Sequence, residues 1–210
     1  MKNKKFAFVM ILGLLLPIVF LVTQKLTASI VVSASGKADF ILEKSFQDTQ
    51  VVLLSQDLAK TIIEASGDEI IESKFDNVHI IIEGLKPLIC RGVIEKTIVV
   101  KIKAEDLDEQ IVVLKQKTVI GDNEIISTTT LVEPSENIKH LISVIKFSRN
   151  DANTTAVFIE KGLSVKHQSN SNIVKRIVQS KLNESILESM KLTEEIIKRL
   201  EQQEPIAIFK

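Results

Sequence analysis

The spacing of apolar residues changes between residues 38 and 66, and the change separates a strand from helical structure. Apolar side chains recur at even positions in KADFILEKSF, at Ala38, Phe40, Leu42 and Phe46, which is typical of a half-buried strand. The preceding ASIVVSA begins the same strand. The next apolar residues are three or four positions apart, as on one face of a helix: Val51, Leu54, Leu58, Ile62 and Ala65.

The limits of this helical segment follow from its polar residues. Asp48 or Thr49 is available as the N-cap, and Gly67 suits the position that ends a helix. Ser55 could cap a second short helix. The segment is therefore one helix, or two short helices with a bend between them.

From Asp68 to Lys166 the pattern predicts about seven consecutive strands with no helix between them. Asp76-Asn77 indicates a short hairpin between DEIIESK and VHIIIEG, and GLKPLICRG is interpreted as a loop. In HLISVIKFS, one side of the strand carries Leu141, Ser143, Ile145 and Phe147. Strands that follow one another without crossover helices pair antiparallel, so the sequence predicts a meander.

Between Asn172 and Gln203 the apolar period is again that of a helix, about 30 residues and roughly 45 Å long. Its apolar stripe runs along Val174, Val178, Leu182, Ile186, Met190, Ile197 and Leu200. A lone amphipathic helix must cover apolar surface, and the apolar face of the preceding sheet is the obvious partner. Pro205 ends the helix, and residues 205–210 form a tail.

The N-terminus contains an uncharged segment, FAFVMILGLLLPIVFLV at residues 6–22, which follows Lys2, Lys4 and Lys5. As a helix it spans roughly 25 Å, close to the ~30 Å hydrocarbon core of a bilayer. We therefore expect residues 1–27 to be a signal anchor that crosses the membrane once. The leading lysines resist translocation, which leaves the bulk of the chain extracytoplasmic. A cleaved signal peptide, which would release a secreted domain, and a buried core helix are the alternatives.

The composition is that of a globular protein, since 45% of the 210 residues are hydrophobic and 26% are charged. Residues 28–204 are long enough for one domain with its own core. Residues 26–210 carry a net charge of −4, and the chain has no Trp or Tyr, which disfavours nucleic acid as a partner. Cys90 is the only cysteine, which excludes a disulfide framework and predicts a free thiol.

Residue types that support catalysis or metal binding are present, but not in converging patterns. His79, His140 and His167 stand singly on predicted strands, without the spacing of metal ligands. The acidic segment with Asp106 and Asp108 lacks the glycine and the distal glutamate of a calcium loop, and no glycine-rich turn is placed to hold a phosphate. The sequence therefore predicts no metal, no cofactor and no catalytic residue.

The order of these elements resembles the START-like superfamily, also called SRPBCC or polyketide cyclase-like. The resemblance spans about residues 28–203, from KADFILEKSF through VVLLSQDLAKTIIEAS to the helix in NIVKRIVQSKLNESILESMKLTEEIIKRLEQQ. It implies an α+β helix-grip fold, in which a curved antiparallel sheet of about seven strands grips a long C-terminal helix. It also implies a cavity between them that commonly takes a hydrophobic ligand. The superfamily has no motif to match residue by residue, so no catalytic residue is carried over.

The resemblance implies that the stripe of the last helix faces this cavity. Cavity-lining side chains are then expected at Val174, Val178, Leu182, Ile186 and Met190. The same stripe is consistent with ordinary core packing or with docking on a partner's helix, since all three require apolar residues.

These patterns favour a membrane-anchored, non-enzymatic domain that binds a hydrophobic small molecule or lipid. The alternative is a structural or interaction module, for docking or assembly, with a packed core and no ligand. An enzyme is the least favoured class, because it would need polar groups that converge in a pocket.

Overall fold

A computed structural model describes residues 29–84, 89–102, 110–169, 171–199 and 202. The strands are β1 (Ile30–Leu42), β2 (Glu69–Glu83), β3 (Ile89–Ile102), β4 (Gln110–Ile120), β5 (Glu124–Leu131), β6 (Ile138–Arg149) and β7 (Thr155–His167). The helices are α1 (Phe46–Ser55), α2 (Leu58–Ala65) and α3 (Asn172–Arg199).

The seven strands form one antiparallel sheet in the order β1-β7-β6-β5-β4-β3-β2. Strands β2 to β7 pair with their sequence neighbours, as the predicted meander requires. The first strand joins the last, with Ile30 opposite His167 and Leu42 opposite Thr155. The prediction of an α+β fold with a curved sheet and a C-terminal helix is confirmed.

The hairpin predicted at Asp76-Asn77 is wrong, because β2 runs without a turn through both residues. Phe75 pairs with Lys96 and Asn77 with Glu95, so Asp76 is the extra residue of a bulge. Its Oδ2 accepts a hydrogen bond of 2.6 Å from Thr97. Aspartate suits a bulge as well as a turn. Because β2 was predicted as two strands, the predicted number of strands was one too high.

The loop predicted over GLKPLICRG is too long, because its second half belongs to β3. That strand begins at Ile89. Gly92 allows the close approach of β2, since a Cβ atom there would lie 2.0 Å from the carbonyl oxygen of His79. The glycine that favoured a loop in the sequence is therefore a contact point within the sheet.

The helical segment is divided into α1 and α2, the two-helix alternative. Gly67 follows the end of α2 with a φ of +85°, as predicted, but the predicted N-caps are wrong. The side chain of Ser45 caps α1 and accepts a hydrogen bond from the Asp48 N–H at 3.2 Å. Asp57, not Ser55, caps α2. Phe46, expected on the first strand, is the first residue of α1 and is buried in the core.

Helix α3 packs mainly on β1 and less closely on β7. Leu182, Ile186 and Met190 are buried against Val32 and Ala34 of β1. The alternation of buried residues along β1 and β7 shows that this is the inner, concave face of the sheet. The helix thus covers one side of that face and does not extend over its middle.

The predicted signal anchor at residues 1–27 and the tail at residues 205–210 lie outside the described residues. Among the helices that are described, none is long and apolar enough to cross a membrane.

Candidate functional site: a polar row on the concave face

A row of polar residues crosses the concave face from β7 to β3. Register places each residue directly opposite the next on the neighbouring strand. Lys161 pairs with Ser143, Ser143 with Thr129, Thr129 with Gln116, and Gln116 with Lys96. We call these five residues the polar row.

The polar row lies on the face of the sheet that carries the core. Directly opposed residues in a sheet project to the same side, and two residues along a strand return to it. Phe147 and Ile145 of β6 alternate with Ser143 on this side, and Leu114 and Ile120 of β4 flank Gln116. The row therefore lies between apolar residues on this face, with Thr118 and Ser127 as further polar neighbours.

The apolar core is divided into clusters that lie on either side of the row. One contains Ile120, Ile125, Ile145 and Phe147 together with residues of α1. The other contains Ile98, Val112, Leu114 and Ile138, with Leu131 and Leu141 packed against it. A polar band between two apolar clusters is typical of an amphiphilic surface.

The two ends of the row are covered by helices, whereas its middle is half-buried. Ala59 and Ile63 of α2 pack on one apolar cluster and Leu58 and Ile62 on the other, so α2 crosses the row near β3. Helix α3 covers the row at β7. Between the helices the half-buried side chains are Thr118, Gln116, Ser127, Thr129 and Ser143. We call this region of the concave face the cleft.

Lys161 forms the α3 end of the row, and its ammonium group is almost fully buried, with 7% of the residue exposed. Its Nζ donates to the Ser189 carbonyl oxygen at 3.1 Å, to Ser189 Oγ at 2.7 Å and to Thr193 Oγ1 at 2.6 Å. Burial lowers the pKa of Lys161 to about 8. Lys161 thus anchors α3 to the sheet through neutral partners.

Lys96 forms the other end of the row and is equally buried, but its charge is compensated. Its Nζ forms an ion pair and hydrogen bond with the carboxylate of Asp57, the N-cap residue of α2. The same ammonium lies 5.5 Å from the centre of the Phe75 ring. The two ends of the row therefore differ in charge compensation.

In the middle of the row, Gln116 belongs to a small hydrogen-bond network with its neighbours Thr118 and Ser127. Gln116 Nε2 donates to Ser127 Oγ at 2.9 Å, and Thr118 Oγ1 lies 3.1 Å from the same oxygen. These groups offer both donors and acceptors to a molecule in the cleft. Among the described residues, no His, Asp or Glu belongs to this part of the surface.

The five residues predicted to line a cavity lie along one side of α3, but most of them contact the sheet directly. Leu182, Ile186 and Met190 are buried, whereas Val174 and Val178 are half-buried near the start of the helix. A Cβ atom at Gly36 would lie 2.4 Å from Met190 Sδ, so helix and strand are in contact there. The cleft lies beside this stripe, toward β6 and β5.

The polar row was not predicted from the sequence, although Ser143 was placed on the same side of its strand as Ile145 and Phe147. The signal was present in each strand, since a polar residue occupies an inward position among apolar ones. It could not be recognised, because only the register between strands shows that these interruptions align.

A shallow groove of about 220 Å³ lies on the opposite, convex face of the sheet. Its walls include the outward side chains of Asp39, Ile41, Lys146 and Phe158. It is open to solvent and shares no side chain with the polar row, so it is not part of this site.

The remaining sequence candidates contribute nothing to the cleft. Cys90 is a free thiol, as predicted, and burial raises its pKa. His79 and His140 are exposed. Within the described ranges no group of His, Cys, Asp and Glu side chains could hold a metal ion, and Asp106 and Asp108 lie outside those ranges.

Comparison with known proteins gives structural likeness without sequence likeness. No protein-family model and no curated protein matches the chain. Solved structures that align include a protein of unknown function from Staphylococcus aureus, at 6% identity over 82% of this chain and 95% of that one, TM-score 0.47. The ZhuI aromatase/cyclase from Streptomyces sp. R1128 aligns at 10% identity over 81% and 94%, TM-score 0.45. A START superfamily protein from Mycobacterium smegmatis aligns at 15% identity over 80% and 97%, TM-score 0.43.

The chain has a START-like, helix-grip fold. Its own architecture carries this assignment: one strand, two short helices, six meander strands and a long helix, with the first strand paired to the last. The resemblance inferred from the sequence is thereby confirmed at the level of the fold.

Proposed function

We propose that this domain binds a hydrophobic small molecule or lipid in the cleft and catalyses no reaction. One observation carries the proposal: the middle of the concave face is only half-buried, although it faces the core side of the sheet between α2 and α3. Apolar rows on either side would supply burial energy of about 25 cal/mol per Å². The hydroxyl and amide groups between them would orient the ligand.

The absence of acid and base groups from the middle of the row supports binding over catalysis. The described side chains there are hydroxyls and one amide, and the two flanking lysines are hydrogen-bonded to α3 or paired with Asp57. General acid–base chemistry usually employs a histidine or carboxylate. Such groups are lacking among the described residues of the cleft.

Native mass spectrometry of the purified, delipidated full-length protein tests this function. After incubation with a membrane lipid extract, we expect a bound lipid or other apolar molecule of defined mass. Complete failure to bind any component, at every protein and lipid ratio tried, would contradict the proposal.

A pair of substitutions on neighbouring residues tests the location of the site. Thr129→Trp would place an indole ring in the cleft, and we expect it to reduce ligand occupancy at least about tenfold, since the ring occupies the ligand's volume. Thr128→Trp is the matched control, because alternation places its ring on the convex face. Equal occupancy in both variants, with unchanged circular dichroism, would place the ligand elsewhere.

We also propose that residues 6–22 anchor this domain to a membrane, with the bulk of the chain extracytoplasmic. The support is the uncharged segment and the lysines before it. In cells that express the full-length chain, the protein should resist extraction by alkaline carbonate, and Leu15→Arg should release it. Protease added outside sealed cells should degrade the domain. Recovery of the unmodified protein in the carbonate wash would refute the anchor.

An interaction module remains the second candidate, and strand β2 favours it. Among the described residues this strand pairs with β3 alone, and it exposes Ile71, Phe75, Val78, Ile81 and Ile82. Exposed apolar residues on a sheet edge can pair with another chain. Cross-linking of the full-length protein in cells would support this candidate if a stoichiometric protein partner were recovered and no ligand were found.

A further inference from the structure

We infer that the ligand of the cleft is an anionic amphiphile whose charged group pairs with Lys161. This inference rests on the binding function proposed above and adds the chemical class of the ligand. A carboxylate or a phosphate would satisfy it, with the apolar part of the molecule lying along the cleft.

The two buried lysines of the polar row differ in charge compensation. Asp57 neutralises Lys96, whereas no carboxylate among the described residues lies within ion-pair distance of Lys161. The carboxylate of the adjacent Glu160 pairs with Lys37 on the other face of the sheet. A buried ammonium without a counter-charge is unfavourable, and a bound anion would remove that cost.

The neighbours that face Lys161 are uncharged in the part of the chain that the structure describes. Gly36 lies opposite on β1 and Ser143 on β6, while Ser189 and Thr193 contact it from α3. No other titratable group therefore competes for the charge of the ammonium from these elements.

Hydrogen-bond donors are also available beside the ammonium of Lys161. The Thr193 hydroxyl donates to the Ser189 carbonyl oxygen at 2.8 Å, so its proton is used. The hydroxyl of Ser189 accepts from Lys161, and its own proton has no acceptor among the described residues. The Ser143 hydroxyl, opposite Lys161, has no hydrogen-bond partner there either. Two hydroxyl donors next to an ammonium suit an anionic oxygen.

The geometry of the surrounding surface fits the rest of such a molecule. From Lys161 the polar row leads past Ser143 into the half-buried middle of the cleft, with Leu141 on one side and Ile145 on the other. A charged group at Lys161 therefore places an attached hydrocarbon chain between the two apolar clusters.

Isothermal titration of the purified full-length protein with matched ten-carbon probes tests the inference. The probes are decanoate, decyl phosphate, 1-decanol and decylammonium, and their hexadecyl counterparts extend the series. We expect at least one of the two anions to bind about tenfold more tightly than the alcohol, and the cation to bind most weakly. Whichever of decanoate and decyl phosphate binds more tightly indicates whether the charged group of the ligand is a carboxylate or a phosphate.

Variants identify the group that recognises the charge. Lys161→Met should lower the ratio of the affinity for the preferred anion to the affinity for 1-decanol about tenfold. Lys115→Met is the control, because Lys115 lies on the convex face of β4, one residue from Gln116. Since the pKa of Lys161 is about 8, binding of the preferred anion, unlike that of the alcohol, should weaken as the pH rises above this value.

The possible outcomes distinguish a failure of the inference about Lys161 from a failure of the proposed binding function. If anions and alcohol bind the wild-type protein equally well, the inference is wrong while the proposed binding function stands. Should Lys161→Met fold and keep the anion preference, Lys161 is not the recognition group and the inference also fails. If no probe binds and no extract component binds, both proposals fail. The comparison of probes on the wild-type protein decides the matter even where the variant does not fold.

Discussion

At the scale of single residues, Lys161 has two functions, one structural and one electrostatic. Its ammonium ties Ser189 and Thr193 of α3 to the middle of the sheet, which is a structural function. Its charge lies in surroundings that disfavour it, as the pKa of about 8 shows. A methionine would retain the length of the side chain and remove both the charge and the hydrogen bonds.

The lowered pKa predicts how Lys161 affects stability as a function of pH. Between about pH 8 and its ordinary value of 10.5, the unfolded chain binds a proton at Lys161 that the folded protein has released. The free energy of unfolding therefore rises with pH across this window, by up to about 3 kcal/mol from this residue. Urea denaturation at several pH values should show a smaller rise in Lys161→Met. Parallel pH profiles for the two delipidated proteins would contradict the shifted pKa.

At the scale of elements, the position of α3 depends on the absence of a side chain at Gly36. Met190 Sδ and Ile186 Cγ2 lie 2.4 and 3.1 Å from where a Cβ atom would be. The helix stripe and the strand are therefore in direct contact, and the cleft opens only toward β6. A shift of α3 would also move Ser189 relative to Lys161.

Gly36→Ala should consequently destabilise the protein by about 1 to 3 kcal/mol, because α3 or the Met190 side chain must move. Met190→Ala removes the Met190 atoms that obstruct a Cβ at position 36. The double variant should therefore lose less stability than the sum of the two single losses, by roughly 1 kcal/mol. Gly121→Ala is the control, since the nearest atom to the new Cβ, the Glu124 carbonyl oxygen, would lie at 3.4 Å. Additive losses measured by urea denaturation would show that the two residues are not coupled.

Asp57 connects two elements, because it caps α2 and compensates the charge of Lys96. Asp57→Ala should cost about 2 to 4 kcal/mol, since it removes a cap and leaves a buried ammonium without its partner. Ser45→Ala removes only the cap of α1 and should cost about 1 kcal/mol. Thermal denaturation of both variants measures the difference. Equal losses would mean that the ion pair contributes little.

The sequence predicted the elements better than the site for a physical reason. Periodicity along one strand identifies which residues share a face, and it correctly placed Ser143 with Ile145 and Phe147. The N-caps of α1 and α2 were missed because Ser45 and Asp57 are two of several residues that could accept a hydrogen bond from a backbone N–H. The polar row depends on the register between neighbouring strands, such as Lys161 opposite Ser143 and Gln116 opposite Lys96, and the pattern within one strand does not specify that register.

At the scale of the whole molecule, the two outer strands of the sheet differ in protection. Helix α3 covers β1, and its Val32 and Leu42 are buried. Most residues of β2 are exposed, and its described partner is β3 alone. Stability is therefore unequal across the sheet.

Amide hydrogen exchange should reveal this inequality. Amides of β2 should exchange at least about tenfold faster than those of β7, which hydrogen-bonds to β1 on one side and β6 on the other. Mass spectrometry of peptides from the full-length protein measures both strands in one experiment. Equal protection would indicate that another chain or another part of this one covers β2.

The pairing of β1 with β7 has a consequence for biosynthesis. Ile30 meets His167, so β1 remains without its neighbour until β7 has been made. Until then its apolar residues are exposed to aggregation or to capture by chaperones. Such distant pairing also slows folding, because a long intervening segment must be ordered first. Translation speed through the segment from β2 to β7 is thus expected to influence the yield of native protein, because it sets how long β1 remains unpaired.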